Sequence, residues 1–252
     1  MSALAVENLR KAFGGVRAVD GVSFVVGAGE RVALIGPNGA GKTSLFNCVN
    51  GQLRPDGGRV RISGDDVTGL APHRVWRHGV GRTFQITAAF ASMTVAENVQ
   101  VALASADGMA SGLVRRLGRR YRAAAGELID QVGLAAHADA AAAGLPYGDL
   151  KRLELAVAMT NRPTLLLMDE PTAGMAADAR GGMMDLVGVM VAERGVAVLF
   201  TEHDMDVVFG HADRVIVLDR GRIIAEGTPD EIRTNAAVRD VYLGSFDAQG
   251  VP

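Results

Sequence analysis

Residues Gly36 to Thr43 read GPNGAGKT and follow directly on the apolar run Val32 to Ile35. The segment fits the phosphate-binding pattern G-x-x-x-x-G-K-S/T in the strand-then-helix setting that the pattern requires. Gly36, Gly39 and Gly41 let the backbone bend, with Pro37, Asn38 and Ala40 between them, so that successive N–H groups point inward at an anion. A helix starting near Gly41 adds its positive dipole end to the same spot. Lys42 is then placed to reach the β- and γ-phosphates, and the Thr43 hydroxyl, with Ser44 next to it, to hold a magnesium ion. The chemistry this loop can do is to bind a nucleoside triphosphate.

Leu165 to Met168 forms an apolar strand that ends in Asp169 and Glu170. Ligands of open α/β sheets collect at the carboxyl ends of strands, so this pair belongs near the phosphate loop. Asp169 suits magnesium opposite Thr43, directly or through water, and Glu170 suits an attacking water that must be oriented and polarised. Thr201-Glu202-His203-Asp204 follows a second apolar strand and sets His203 just beyond its end. Ahead of the carboxylate pair stands Leu145-Pro146-Tyr147-Gly148-Asp149, which leads into a helix. Its spacing predicts Leu150, Leu153, Val157 and Ala158 on one face, with Lys151, Arg152 and Glu154 elsewhere.

The elements that must position these residues read as α/β. Short strands joined by glycine turns cover Leu4–Val6, Val16–Val26 with an interruption near Asp20, Arg31–Ile35 and Gly58–Ile62. Thr43 to Asn50 continues the phosphate loop as a helix that Gly51 ends. From about 87 to 162 the chain turns alanine-rich and helical, with no convincing strand, as expected of a helical subdomain inserted into one 1–252 domain. Strand character returns at Thr164–Met168, Val196–Thr201 and Val215–Leu218, the last closing a hairpin with Ile223–Glu226. Thr228-Pro229-Asp230-Glu231 is a capping box with proline in the first helical turn. Arg115, Arg116, Arg119, Arg120 and Arg122 read as a solvated helix face, with lipid headgroups or an acidic partner surface as the alternative.

The chain has 252 residues, enough for a substantial core, and a formal net charge of −2, which argues against a nucleic-acid partner. No apolar run approaches the ~18 residues that cross a bilayer, and the start of the sequence lacks the order of a secretion signal. A cytoplasmic protein is expected. The single Cys48 sits on the helix after the phosphate loop and is expected to be a small buried hydrophobe.

Taken in order, these segments resemble the ATPase subunit of an ABC transporter. GPNGAGKT is similar to its Walker A loop, Gln85 in GRTFQ to its Q-loop glutamine, and LPYGD to a variant of its LSGGQ signature. LLLMDEP resembles Walker B with its glutamate, TEHD the switch-histidine loop, and Phe13 in KAFGG the aromatic that stacks on adenine. Within that family the phrases FGGVRAVDGVSF, RTFQITAAFASMTVAENVQVA, TEHDMDVVF and VRDVYLG are most similar to the ATPases of branched-chain amino acid importers. Urea and amide importers carry a similar set.

The resemblance implies a P-loop NTPase with a RecA-like core, an N-terminal antiparallel β subdomain and a helical signature subdomain. It implies ATP and Mg2+ as cofactors, with Thr43, Gln85 and Asp169 at the metal and Glu170, His203 and Gln85 in hydrolysis. Phe13 and residues 36–44 would bind the nucleotide of their own subunit, and Tyr147, Gly148 and Asp149 that of a partner. The implied partners are a second ATPase, either another copy or a related paralogue, membrane-spanning permease subunits and, indirectly, a substrate-binding protein. The implied location is the cytoplasmic face of the membrane.

Two positions depart from the family pattern. Pro146 stands where a serine hydroxyl is usual, and proline offers no donor at all. Ala176 stands where the loop after Glu170 normally has aspartate or asparagine. Both are expected to slow turnover at the opposite site. They also leave room for another reading, a nucleotide-binding regulatory subunit with negligible hydrolysis, beside an ATPase for urea or short amides.

Overall fold

The computed structural model describes residues 2–83, 89–108 and 120–246. Among the described residues ten strands run in chain order: β1 (Ser2–Phe13), β2 (Val16–Gly27), β3 (Arg31–Ile35), β4 (Gly57–Ile62), β5 (Asp65–Asp66), β6 (Val80–Thr83), β7 (Leu165–Asp169), β8 (Ala197–Thr201), β9 (Arg214–Asp219) and β10 (Arg222–Gly227). The helices among the described residues are α1 (Lys42–Val49), α2 (Pro72–Arg77), α3 (Val95–Ala106), α4 (Arg122–Gln131), α5 (Tyr147–Ala158), α6 (Ala177–Arg194), α7 (Met205–His211), α8 (Pro229–Thr234) and α9 (Ala236–Phe246).

Two sheets form. The first is antiparallel, in the order β2-β1-β4-β5; the second has six strands in the order β10-β9-β3-β8-β7-β6. β9, β3, β8, β7 and β6 run parallel and β10 returns antiparallel. Apolar runs such as Val32–Ile35 and Leu165–Met168 alternate between two cores, as strands buried on both faces must. Val32, Leu34, Leu165, Leu167, Leu199 and Leu218 face the antiparallel sheet and α1. Ala33, Ile35, Leu166, Met168, Phe200 and Val217 face the other way, into one cluster with residues of α3 to α7.

Several elements differ from the sequence reading. β1 and β2 are twelve residues each. The interruption near Asp20 is a bulge at Gly21 (φ +74°), where the pairing steps from Leu9–Val22 to Arg10–Asp20. β6 carries only four residues and holds its place by pairing with β7, Val80 with Leu165 through Thr83 with Met168, too short a run to show a period. α2, α6, α7 and α9 also went unread. The capping box at Thr228 forms as expected, its N–H bonding Glu231 Oε2 at 2.8 Å. Between residues 87 and 162 the described residues are helical, joined by short 3-10 turns and one isolated bridge, Thr94 to Ala141.

On α5 two of the charged residues expected off the apolar face are buried. Lys151 and Glu154 are 3% and 6% exposed and pair at 3.1 Å, so they lie inside. The Lys151 ammonium meets Glu154 Oε2, so each charge that turns inward has an opposite charge beside it. Cys48 is buried, and burial pushes its thiol up to about 11. Of the arginine run, Arg120 is exposed and meets Asp107 at 3.6 Å, Arg122 is exposed, and Arg115, Arg116 and Arg119 lie outside the described residues.

Candidate functional site

The order β3-β8-β7 in the parallel sheet puts three carboxyl ends side by side. β3 runs into the phosphate loop, β7 into Asp169–Glu170 and β8 into Glu202–His203. Parallel strands end at the same edge, so segments far apart in sequence meet there.

The loop is tight. A Cβ on Gly36 would lie 2.1 Å from Leu218 O, and one on Gly41 (φ +105°) 2.1 Å from Ala18 O, so backbone from β9 and β2 occupies the space of any side chain. Lys42 Nζ bonds Gly36 O at 2.5 Å and Pro37 O at 3.1 Å, holding the ammonium over the loop. Burial lowers the Lys42 pKa, against the opposing pull of Glu170 and Asp169, so both carboxylates act on it. Thr43 is exposed and Ser44 half-buried on the first turn of α1. Phe13 is 48% exposed at the end of β1, with Lys11 Nζ over its ring 5.5 Å from the centroid. Asp56 fixes that corner through Lys11 Nζ at 2.9 Å and the Ala12 N–H at 2.7 Å.

Thr201 organises the carboxylates. Its hydroxyl donates to Asp169 Oδ1 at 2.8 Å, and the Glu170 N–H lies 3.1 Å from both its carbonyl and its Oγ1. Glu170 adopts φ +51°, a left-handed conformation that a non-glycine residue keeps only when its surroundings impose it. It aims the carboxylate at His203, whose Nε2 lies 2.9 Å from Glu170 Oε1. Arg82 approaches Asp169 Oδ2 at 3.7 Å and donates to Asn47 Oδ1 and Gln52 Oε1 at 3.2 and 3.1 Å. Burial lowers the Arg82 pKa, with Asp169 pulling it back.

Tyr147, Gly148 and Asp149 open α5, and their contacts run elsewhere. A Cβ built on Gly174 would meet the Tyr147 ring at 3.1 Å, and one on Gly148 would meet the Met175 methyl at 3.5 Å. Asp149 faces Arg152 at 3.7 Å and His137 at 3.8 Å. Pro146 and Ala176 are the N-cap residues of α5 and α6, and neither offers a side-chain acceptor. Gln85 lies outside the described residues.

A family model described as ABC transporter matches residues 19–173. The high-affinity branched-chain amino acid transport ATP-binding protein BraF of Pseudomonas aeruginosa is 39% identical over 248 residues, 96% of this chain and 97% of its own. The chain belongs to the ABC transporter ATP-binding family.

A second model, described as branched-chain amino acid ATP-binding cassette transporter, matches residues 222–248 of the cassette. Its fold matches the crystal structure of an ATP-binding cassette of an ABC transporter in the ADP conformation with TM-score 0.85 and 31% identity, covering 97% of this chain and 99% of that one. It also matches a dimeric bacterial ABC transporter cassette with TM-score 0.75 and 25% identity, over 90% and 98% of the two chains. The cassette is a nucleotide-binding α/β protein with an antiparallel β sheet beside its parallel core.

Sequence reasoning passed over Arg82 beside Asp169, Thr201 between the two carboxylates, Thr172 and Glu202, which bond each other, and Arg180, which bonds Asp204 next to His203. Thr201 and Glu202 carried a readable signal, two polar residues between an apolar strand and His203. Arg82 and Arg180 carried none, because their partners lie on other elements.

Proposed function

We propose that this chain is the ATP-hydrolysing subunit of an importer for branched-chain or other hydrophobic amino acids. The observation that carries the ATPase reading is the meeting of Lys42, Asp169, Glu170 and His203 at the adjacent ends of β3, β7 and β8. The cargo reading rests on the relatives' names and on the match over residues 222–248.

In this reading Phe13 stacks on the adenine, and the N–H groups of residues 38–44 together with Lys42 bind the phosphates. The residues fit magnesium, which uses one or two protein oxygens and takes the rest from phosphate and water. Thr43 and Asp169 would hold it, with Gln85 assigned there by its motif position alone. The ion would neutralise charge building on the transferred phosphoryl group. Glu170 orients and polarises the attacking water, and His203 donates to the γ-phosphate. Tyr147, Gly148 and Asp149 face the nucleotide of a second cassette, either another copy or a paralogue. Segment 87–162 then carries the signature to that partner.

Membrane-spanning permease subunits complete the transporter and receive cargo from a substrate-binding protein. Among the described residues no helix is long and apolar enough to cross a membrane. In this reading the permease subunits hold the cassette on the cytoplasmic face.

The test is Mg-ATP hydrolysis by the purified chain over a range of concentrations, with Glu170→Gln as background, followed by leucine uptake in vesicles carrying the assembled transporter. A rate per chain that climbs with concentration and vanishes in the variant supports two identical chains. Activity only after a different cassette is added supports a paralogue pair. Vesicles that hydrolyse ATP without moving leucine, isoleucine or valine overturn the cargo reading. ATP binding with no hydrolysis in any assembly makes the chain a regulatory subunit.

A further inference from the structure

Three donors converge on the Glu202 carboxylate. Oε1 accepts from the Thr172 N–H and the Thr172 hydroxyl, each at 2.7 Å, and Oε2 from the His203 N–H at 3.3 Å. Glu202 is 4% exposed and Thr172 1%. A carboxylate this deep is tolerated because its oxygens are bonded, so the segment after Glu170 and the segment carrying His203 cannot separate without stranding it.

A second tie lies on the far side of His203. Arg180 Nη1 donates to Asp204 Oδ2 at 2.5 Å and Arg180 Nε to Met175 O at 3.1 Å. The other Asp204 oxygen caps α7, accepting from the Asp206 and Val207 N–H groups at 3.0 and 3.4 Å. His203 therefore stands between two bridges that both lead back to the loop following Glu170, one through Thr172 and one through Met175.

We infer that Glu202 is a positioning residue for hydrolysis: its carboxylate bonds Thr172 and His203 together and so sets the imidazole against Glu170. The inference rests on the reading that Glu170 and His203 act on the water and the γ-phosphate. Glu202 reaches neither group with its own side chain. It acts on the backbone at residues 172 and 203 and on the Thr172 hydroxyl, which fixes where the two reacting side chains start. Glutamine at this position keeps an acceptor for Thr172 but turns an N–H2 toward the His203 N–H, so Glu202→Gln separates the two halves of the clamp.

The test uses the full chain with Glu202→Gln, Thr172→Val, Thr172→Ser, His203→Ala and Glu170→Gln. Glu202→Gln is expected to lower kcat about tenfold with the ATP KM within twofold, the pattern of an interaction made in the transition state. In the His203→Ala background the same substitution is expected to have no further effect, since residues acting as a unit are not additive. Thr172→Ser is expected to restore the rate that Thr172→Val loses. A readout independent of turnover is the ring 15N resonance of His203. In the wild type it shifts on Glu170→Gln, and in Glu202→Gln that sensitivity is gone.

Losses that multiply in the double variant, or a His203 resonance that still responds to Glu170 without Glu202, overturn the inference. A wild type that hydrolyses no ATP overturns the ATPase reading instead, and the resonance still decides whether Glu202 positions the pair. Should Glu202→Gln not fold, Thr172→Val carries the same comparison.

Discussion

His203 Nε2 lies 2.9 Å from Glu170 Oε1, joining the ends of two neighbouring parallel strands. The contact spans 33 residues of sequence and holds the imidazole and the carboxylate in one hydrogen-bonded unit. Glu170→Gln is expected to lower kcat by roughly 10²- to 10⁴-fold, the range of a positioned general base. His203→Ala is expected to lower it about 10²-fold or more, as for a lost transition-state donor. ATP affinity stays within a few-fold in both. Steady-state hydrolysis beside equilibrium nucleotide binding checks this, and a raised ATP Kd with unchanged kcat would contradict it.

The glycines of the phosphate loop are expected to separate by backbone contact. Gly39 has φ +81° with nothing within 4 Å of a Cβ, so Gly39→Ala meets only left-handed strain of about 1–2 kcal/mol. Gly36→Ala and Gly41→Ala each place a methyl 2.1 Å from a carbonyl oxygen. Both should lose more than about 2 kcal/mol and the loop shape with it. Urea unfolding and ATP titration of the three variants test the ranking.

Ala176 begins α6 without a side-chain cap. Ala176→Asp supplies an acceptor for the free N–H groups of the first turn and is expected to stabilise the chain by about 1 kcal/mol. For a chain of this size that raises Tm by roughly 2–4 °C. The same substitution is expected to raise turnover at the partner's site in the assembled transporter. A higher Tm with an unchanged rate would limit Ala176 to the helix end.

Acid should loosen the starts of β3 and β9. Asp213 bonds Arg31 through Nη2 at 2.6 Å and Nε at 3.2 Å, and Glu30 bonds Arg214 through Nε at 2.7 Å and Nη2 at 3.0 Å. Burial pushes both carboxyls up, but the arginines and the Arg31 and Gly27 N–H groups outweigh it and hold them below the usual range. A folded pKa held down stabilises above the ordinary carboxylate value and loses that contribution as pH falls through the lowered one. Stability should therefore decline below about pH 4. The two pairs together account for no more than about 1 kcal/mol, because solvent screens them. Glu30→Gln and Asp213→Asn should flatten the decline in urea unfolding between pH 6 and pH 3.

Much of the site was legible because its residues act through local order. Gly36 to Thr43 must form a loop between strand and helix wherever the sheet goes, and Asp169 and Glu170 must cap an apolar strand. The misread parts depended on distant partners. Val80 to Thr83 has too few residues to show a period and becomes β6 only by pairing with β7. Lys151 and Glu154 read as lying off the apolar face of α5, yet they are buried and pair with each other.

By itself the sequence determined the chemistry: a phosphate loop, a magnesium-suited aspartate, a candidate base and a histidine, each at the end of an apolar strand. The tertiary structure alone decided which ends are neighbours, because strand order comes from the packing of whole strands and leaves no mark in local spacing. It placed β8 between β3 and β7, which lets Thr201 bond Asp169 and Glu170, lets His203 meet Glu170 and lets Glu202 bind Thr172. Hydrogen bonds between residues some thirty positions apart exist only once parallel strands register side by side.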